Sequence, residues 1–234
     1  MVILVVFVSV VSCQVYVEKA YRTSLSSTYS YTCTITTDST LSNVTLFLPV
    51  PADPSGNSPI VAQFSAHDIA GLPKDWTVTL YDTGKATMVR ITTPVITPGG
   101  TIPEKPFTIL LSSEMKSDKV IDTREPIKNS ALFRQVRDLQ LVSCPPDSSE
   151  EKGTPQCYRY LTSLYADYQA PSNATVNISS TLAGKNSWKI VEPKSNEYTT
   201  SVNLLMFGDI HGWSTMNGTL TTSIGTYDVP FSLP

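Results

Sequence analysis

Polar and apolar residues alternate one for one along most of this chain, and the phase of the alternation says which side chains point inward. In Asn43–Leu48, Val44, Leu46 and Leu48 share one face while Thr45 and Phe47 take the other; in Trp76–Tyr81, Trp76, Val78 and Leu80 fall together. A period of two is the signature of a half-buried strand. The same pattern predicts strands over Val15–Arg22, Tyr29–Thr37, Ala86–Thr92, Phe107–Ser112, Leu139–Cys144, Tyr158–Leu164, Ala174–Leu182, Ser187–Val191, Tyr198–Met206 and Gly218–Tyr227. Asp82-Thr-Gly-Lys85 between two of them reads as a hairpin turn. About a dozen short strands separated by turn residues predict an all-β protein, an antiparallel β-sandwich, over residues 15–234. Prolines punctuate the loops, as at Pro49, Pro51, Pro145 and Pro146, where no ladder donor is needed. The most charged stretch, residues 113–130, is the best candidate for a seam.

The alternation fails at the start. From Met1 to Cys13 the chain is apolar but for Ser9 and Ser12, and the first charge is Glu18. The run matches the ~7–15 residues of a signal-peptide core and falls short of the ~18 that span a bilayer. Residues 1–14 are therefore expected to be a signal peptide or membrane anchor. Val10-Val11-Ser12-Cys13 fits the pattern that precedes a lipidated cysteine, making Cys13 the candidate lipid anchor and the membrane a partner through the N-terminus. No Lys or Arg precedes the run, and a buried N-terminal strand is the competing reading.

Cysteines and asparagines agree with export. Cys144 and Cys157 bracket a polar segment rich in Pro and Ser. A disulfide there closes a loop of about 14 residues, worth roughly 3 kcal/mol in the chain-entropy account. Cys33 is then a buried free thiol or the partner of Cys13. Asn43, Asn173, Asn177 and Asn217 each begin an Asn-x-Ser/Thr triplet and are candidate glycosylation sites. Asn177 lies out of phase with Val176 and Ile178, on the wet side of its strand.

Composition narrows the function. Net charge is −3, with 16% charged residues and 41% hydrophobic ones. That is below the usual charged fraction, yet apolar enough to fold. Lys and Arg are spaced singly, so no nucleic-acid partner is expected. No cofactor and no metal are expected either. The chain has only His67 and His211. Asp53-Pro-Ser-Gly-Asn57 has the oxygen donors of a calcium loop but also the chemistry of an ordinary turn. Tyr158, Tyr160, Tyr165 and Tyr168, with Tyr16, Tyr21, Tyr29 and Tyr31, form either a recognition face or cross-strand packing.

Gly208-Asp-Ile-His-Gly212 resembles a metallophosphoesterase signature, which implies Asp209 and His211 as metal ligands. The further histidines such a two-metal site needs are missing, and a turn before Trp213 explains the glycines. NVTLFLPVP, YRYLTSLYADY and GDIHGWSTMNGTLTTSIGTY resemble segments of uncharacterised secreted or membrane-anchored archaeal envelope proteins, which implies an envelope location and no particular activity. The expectation is a non-enzymatic structural or binding module at the outer face of the cytoplasmic membrane or secreted, its partner a cell-envelope glycan or protein. The alternative is an extracellular hydrolase of polysaccharide or peptide.

Overall fold

The computed structural model describes residues 14–83, 87–98, 107–145 and 153–227. Twelve strands among them, all antiparallel, make an all-β protein: a curled ten-stranded sheet and a two-stranded ribbon. The strands are β1 (Ser26–Thr37), β2 (Leu41–Pro49), β3 (Pro51–Ala52), β4 (Thr77–Asp82), β5 (Thr87–Ile96), β6 (Phe107–Ser117), β7 (Leu132–Phe133), β8 (Arg137–Val142), β9 (Gly153–Gln169), β10 (Thr175–Lys189), β11 (Pro193–Phe207) and β12 (Ile210–Gly225). The large sheet runs β4-β5-β2-β9-β12-β11-β10-β1-β6, with β8 also on β9, and β3 pairs with β7.

Alternation places the core. Tyr31, Cys33 and Ile35 of β1, Val176, Ile178 and Leu182 of β10, Tyr198 and Val202 of β11 and Leu220 of β12 all point inward into one hydrophobic cluster. That cluster is covered by the connections: α2 (Val61–Ser65) contributes Phe64, and the crossover from β6 to β8 contributes Ile121, Ala131, Leu132 and Phe133. The two edges of the curled sheet are drawn to one segment. Ala70 exchanges both backbone hydrogen bonds with Ser112 of β6, at 2.9 and 3.0 Å, just before the chain enters β4. An edge satisfied in this way offers less bare backbone to other chains.

The charged stretch 113–130 contributes to β6 and then to that crossover, which includes α3 (Pro126–Asn129). Its inward residues are stitched down by two buried asparagines. Asn186 accepts from Ile121 N at 3.0 Å and donates to Ile121 O at 2.8 Å; Thr123 Oγ1 donates to Asn196 Oδ1 at 2.9 Å.

Two expectations change. Residues 14–24 form helix α1 instead of the strand expected over Val15–Arg22. Val17, Ala20, Tyr21 and Ser24 are its covered positions, a helical spacing that outweighs the strand propensity of Val and Tyr. Glu18 and Arg22 pair one turn apart at 2.8 Å, and Tyr21 meets Trp188 edge-on at 5.6 Å. The long strands also exceed expectation. Ala174–Leu182 and Ser187–Val191 lie largely in a single 15-residue strand, β10. The expected break falls at Gly184, directly opposite Tyr198 in register.

That pairing is a packing device. A Cβ on Gly184 would stand 2.3 Å from Tyr198 Cε1, and one on Gly218 would stand 2.4 Å from Tyr160 Cε2, its own cross-strand partner. Each tyrosine ring lies over a glycine, covering backbone that would otherwise lack side-chain contact. Each hydroxyl is also engaged: Tyr198 OH donates to Ala131 O in the crossover, and Tyr160 OH pairs with Thr200 Oγ1 of β11 at 2.7 Å. Gly184→Ala should overpack this contact, costing about 1–3 kcal/mol and lowering Tm by roughly 3–10 °C. Differential scanning calorimetry checks it, and adding Tyr198→Leu should recover part of the loss.

Candidate functional site

Most tyrosines weighed as a recognition face are core residues. Tyr21, Tyr31, Tyr160 and Tyr168 are buried, and Tyr29 and Tyr158 pack against the cluster. Burial raises the hydroxyl pKa of Tyr31, Tyr160 and Tyr198, and pushes that of Tyr168 up to about 12, with the charge of Asp209 adding to it. Tyr16 is exposed on α1. Tyr165 alone of the set joins an aromatic cluster on the outer face of the sheet.

Its companions are Phe47, Tyr81 and Trp213. Register brings them together: Phe47 of β2 lies opposite Tyr165 of β9, and Tyr165 lies opposite Trp213 of β12. Phe47 stacks on Tyr81 at 4.7 Å and on Tyr165 at 4.8 Å, with 27° between planes in both pairs. The Phe47–Tyr165 spacing is close to the distance between adjacent strands, whereas Tyr81 reaches Phe47 across the intervening β5. Trp213 sits 5.5 Å from Tyr165 and 6.2 Å from Phe47, at 70° and 66° to their planes. These distances form a triangle with the 4.8 Å stack, so Trp213 lies off the stack axis and braces both rings. The guanidinium of Arg90 stands 6.0 Å from the Phe47 centroid, within cation–π range. Trp213 is 55% exposed, whereas Trp76 and Trp188 are buried at 5% and 3%.

A cleft opens beside Trp213. Strand β9 pairs along one edge with β2 from Gln169 to Tyr165 and with β8 from Leu161 to Cys157. Between these, Thr162 and Ser163 line a cavity of about 340 Å³, whose walls include Arg134, Gln135, Arg137 and Trp213. This is at the small end of ligand-sized clefts (~300–1,000 Å³). Arg137 is steered by a bond from its Nη2 to Ser163 Oγ at 3.2 Å. Arg134 is half-buried and fixed from the other side: Nε donates to Ala52 O at 2.8 Å and Nη2 to Ser130 O at 3.2 Å. Desolvation lowers its pKa, with the nearby charge of Asp53 acting in the opposite direction. Arg134 and Gln135 also wall a second cavity of about 540 Å³, bordered by Asp53 and Asp82.

The residues singled out in the sequence fall as follows. Cys13 lies outside the described residues. Cys144 and Cys157 are joined in a disulfide, their Cα atoms 5.2 Å apart, and Cys33 is a buried free thiol whose pKa is raised by that burial. Asn43 and Asn217 are exposed, Asn173 is exposed in the turn before β10, and Asn177 is half-covered on the outer face, where its Oδ1 accepts from Asn203 Nδ2 at 3.0 Å. The Asp53 carboxylate serves its own turn, accepting from Ser55 N at 2.8 Å and Asn57 N at 2.9 Å. Burial works against its ionisation, but these donors hold its pKa below the ordinary carboxylate value. Asp209 accepts from Ala170 N, and His211, already within β12, contacts Asp167 Oδ1 at 2.7 Å beside the aromatic cluster. The five-residue phosphatase-like segment is thus a turn followed by the start of a strand, with Gly208 at a φ of 65°.

Comparison of the chain with family models, curated proteins and solved structures finds no match.

Phe47, Tyr81, Trp213 and the arginines were not prominent in the sequence, although Phe47 stands out of phase with three inward neighbours. A large aromatic residue at an outward position of a strand was the available signal. Acrylamide quenching should find one accessible tryptophan in three, and Trp213→Phe should remove the accessible component with little change in Tm.

Proposed function

We propose that this chain is a non-enzymatic binding module working outside the cytoplasmic membrane, and that the outer face around Trp213 is its recognition surface. The observation that carries this reading is the solvent-facing cluster of Phe47, Tyr81, Tyr165 and Trp213. Contiguous exposed apolar patches on a folded chain mark interaction sites. Aromatic residues supply large contact area at low entropic cost, with polar tips on Tyr and Trp for orientation. Here they stand on paired strands of a wide sheet, so little ordering remains to be done on binding.

The location has independent support. A disulfide between Cys144 and Cys157 fits an oxidising compartment. The candidate sequon asparagines Asn43, Asn173 and Asn217 are exposed, as a glycan acceptor must be. The apolar run ending at Cys13 supplies the address and the route to the membrane. Among the described residues, no helix is long and apolar enough to cross a membrane.

The test is co-sedimentation with insoluble cell-envelope polysaccharide. The wild type should pellet with it, and Trp213→Ala should weaken binding at least about tenfold, the loss of a central aromatic contact, with Tm unchanged. Equal binding by the variant contradicts the reading of this face. Release of soluble reducing ends would replace the binding module with the hydrolase.

A further inference from the structure

We propose that the ligand of this face is a carboxylate-bearing carbohydrate, with a sugar ring against Trp213 and its carboxylate in the adjoining cleft, paired with Arg137 and Arg134. The inference rests on reading this face as the recognition surface, and it names the chemistry of what is recognised.

Charge placement carries it. The chain is acidic, at −3, yet two of its six arginines line this one cleft and a third stands at the aromatic cluster beside it. Arg134 and Arg137 line the cleft, and Arg90 stands against Phe47. In sequence these residues are spaced singly; the pairing of β8 and β5 around β9 and β2 brings them together. Among the described residues, the cationic side chains that line the cleft are both arginines. That choice matters, because a guanidinium offers a planar fork that meets a planar carboxylate with two parallel hydrogen bonds, and an ammonium does not. Both cleft arginines are held before any ligand arrives: Arg137 by Ser163, and Arg134 by two backbone carbonyls that occupy two of its five N–H donors.

The nearby acids do not occupy the cleft. Asp53 is engaged by its own turn, and with Asp82 it borders the second cavity on the far side of Arg134. Asp167 is in contact with His211. Among the described residues that line this cavity, an anion therefore finds positive charge and no carboxylate. The remaining walls suit a sugar: Gln135 and Ser163 bring amide and hydroxyl groups, and Trp213 brings an aromatic surface for the ring's C–H groups. A purely electrostatic polyanion site would have no use for that aromatic wall.

The experiment measures affinity by isothermal titration calorimetry of the full chain. The probes are polygalacturonate, alginate, hyaluronate and a sialyl oligosaccharide, each paired with its methyl-esterified form. Dextran sulfate and a single-stranded oligonucleotide serve as charge controls. At least one carboxylated glycan should bind, and esterification should weaken it about tenfold or more. Arg137→Gln should lose a similar factor and abolish the difference between acid and ester, with Arg137→Lys intermediate. Trp213→Ala should weaken acid and ester alike. If ester and acid bind equally while Trp213→Ala still weakens both, the carboxylate assignment is overturned and the recognition surface stands. If Arg137→Gln leaves uronate affinity intact, the carboxylate assignment is likewise overturned. Preference for the sulfate or the oligonucleotide overturns it in favour of another anion. Binding to no glycan, with Trp213-dependent dimers in analytical ultracentrifugation, overturns both readings and makes the face a contact between copies of this chain. Failure of every glycan to bind overturns the inference even without such dimers.

Discussion

Two tyrosine rings laid over two glycines hold the inside of this protein together. Tyr198 on Gly184 and Tyr160 on Gly218 occupy space that any Cβ at either glycine would take. The rings fill the centre of the curled sheet, and the hydroxyl of Tyr198 emerges at the layer that covers it. There it fixes Ala131, and the chain runs on within a few residues through Phe133 of the small ribbon to Arg134 and Arg137. The position of the cleft arginines is thus set from within the core. A buried carbonyl left without its donor costs about 1–3 kcal/mol, so the tie also specifies how the crossover lies.

The recognition surface follows from what this packing leaves outside. The inward face of the sheet is largely apolar, and Asn186 and Thr200 are hydrogen-bonded within it. The outward face is rich in Ser, Thr and Asn, and on it Phe47, Tyr81, Tyr165 and Trp213 form an aromatic cluster. Its rings brace one another, so Trp213 is half-exposed yet oriented. The cleft exists because β9 changes partner along one edge, from β2 to β8. The crossover residues 134–136 enter at that split, bringing arginine side chains up to an aromatic wall.

Much of the fold was legible in the alternation of residues, because a strand with one buried face writes its orientation directly into the sequence. Val44, Leu46 and Leu48, and Val176, Ile178 and Leu182, point inward as their phase requires. The pattern was misread where the core is polar or small: Gly184 and Asn186 on β10 and Asn196 on β11 point inward too, and they hid the length of the two strands. Helix α1 was masked by its β-branched and aromatic composition, although Val17, Ala20, Tyr21 and Ser24 carry helical spacing. The Cys144–Cys157 bridge was readable because a short polar loop brings the two cysteines together locally. The candidate site was mostly hidden, since Phe47, Trp213, Arg90 and Arg137 meet only through the registers of four strands, and no local spacing encodes such a meeting.

The most direct measurement is oxidative footprinting of the protein in its native envelope and after purification, read by peptide mass spectrometry. If the outer face is the recognition surface, Trp213 and Tyr165 should be protected in the envelope and become reactive on purification, while exposed Phe207 changes little. Equal oxidation of Trp213 in both settings, with protection appearing elsewhere on the sheet, would contradict the account.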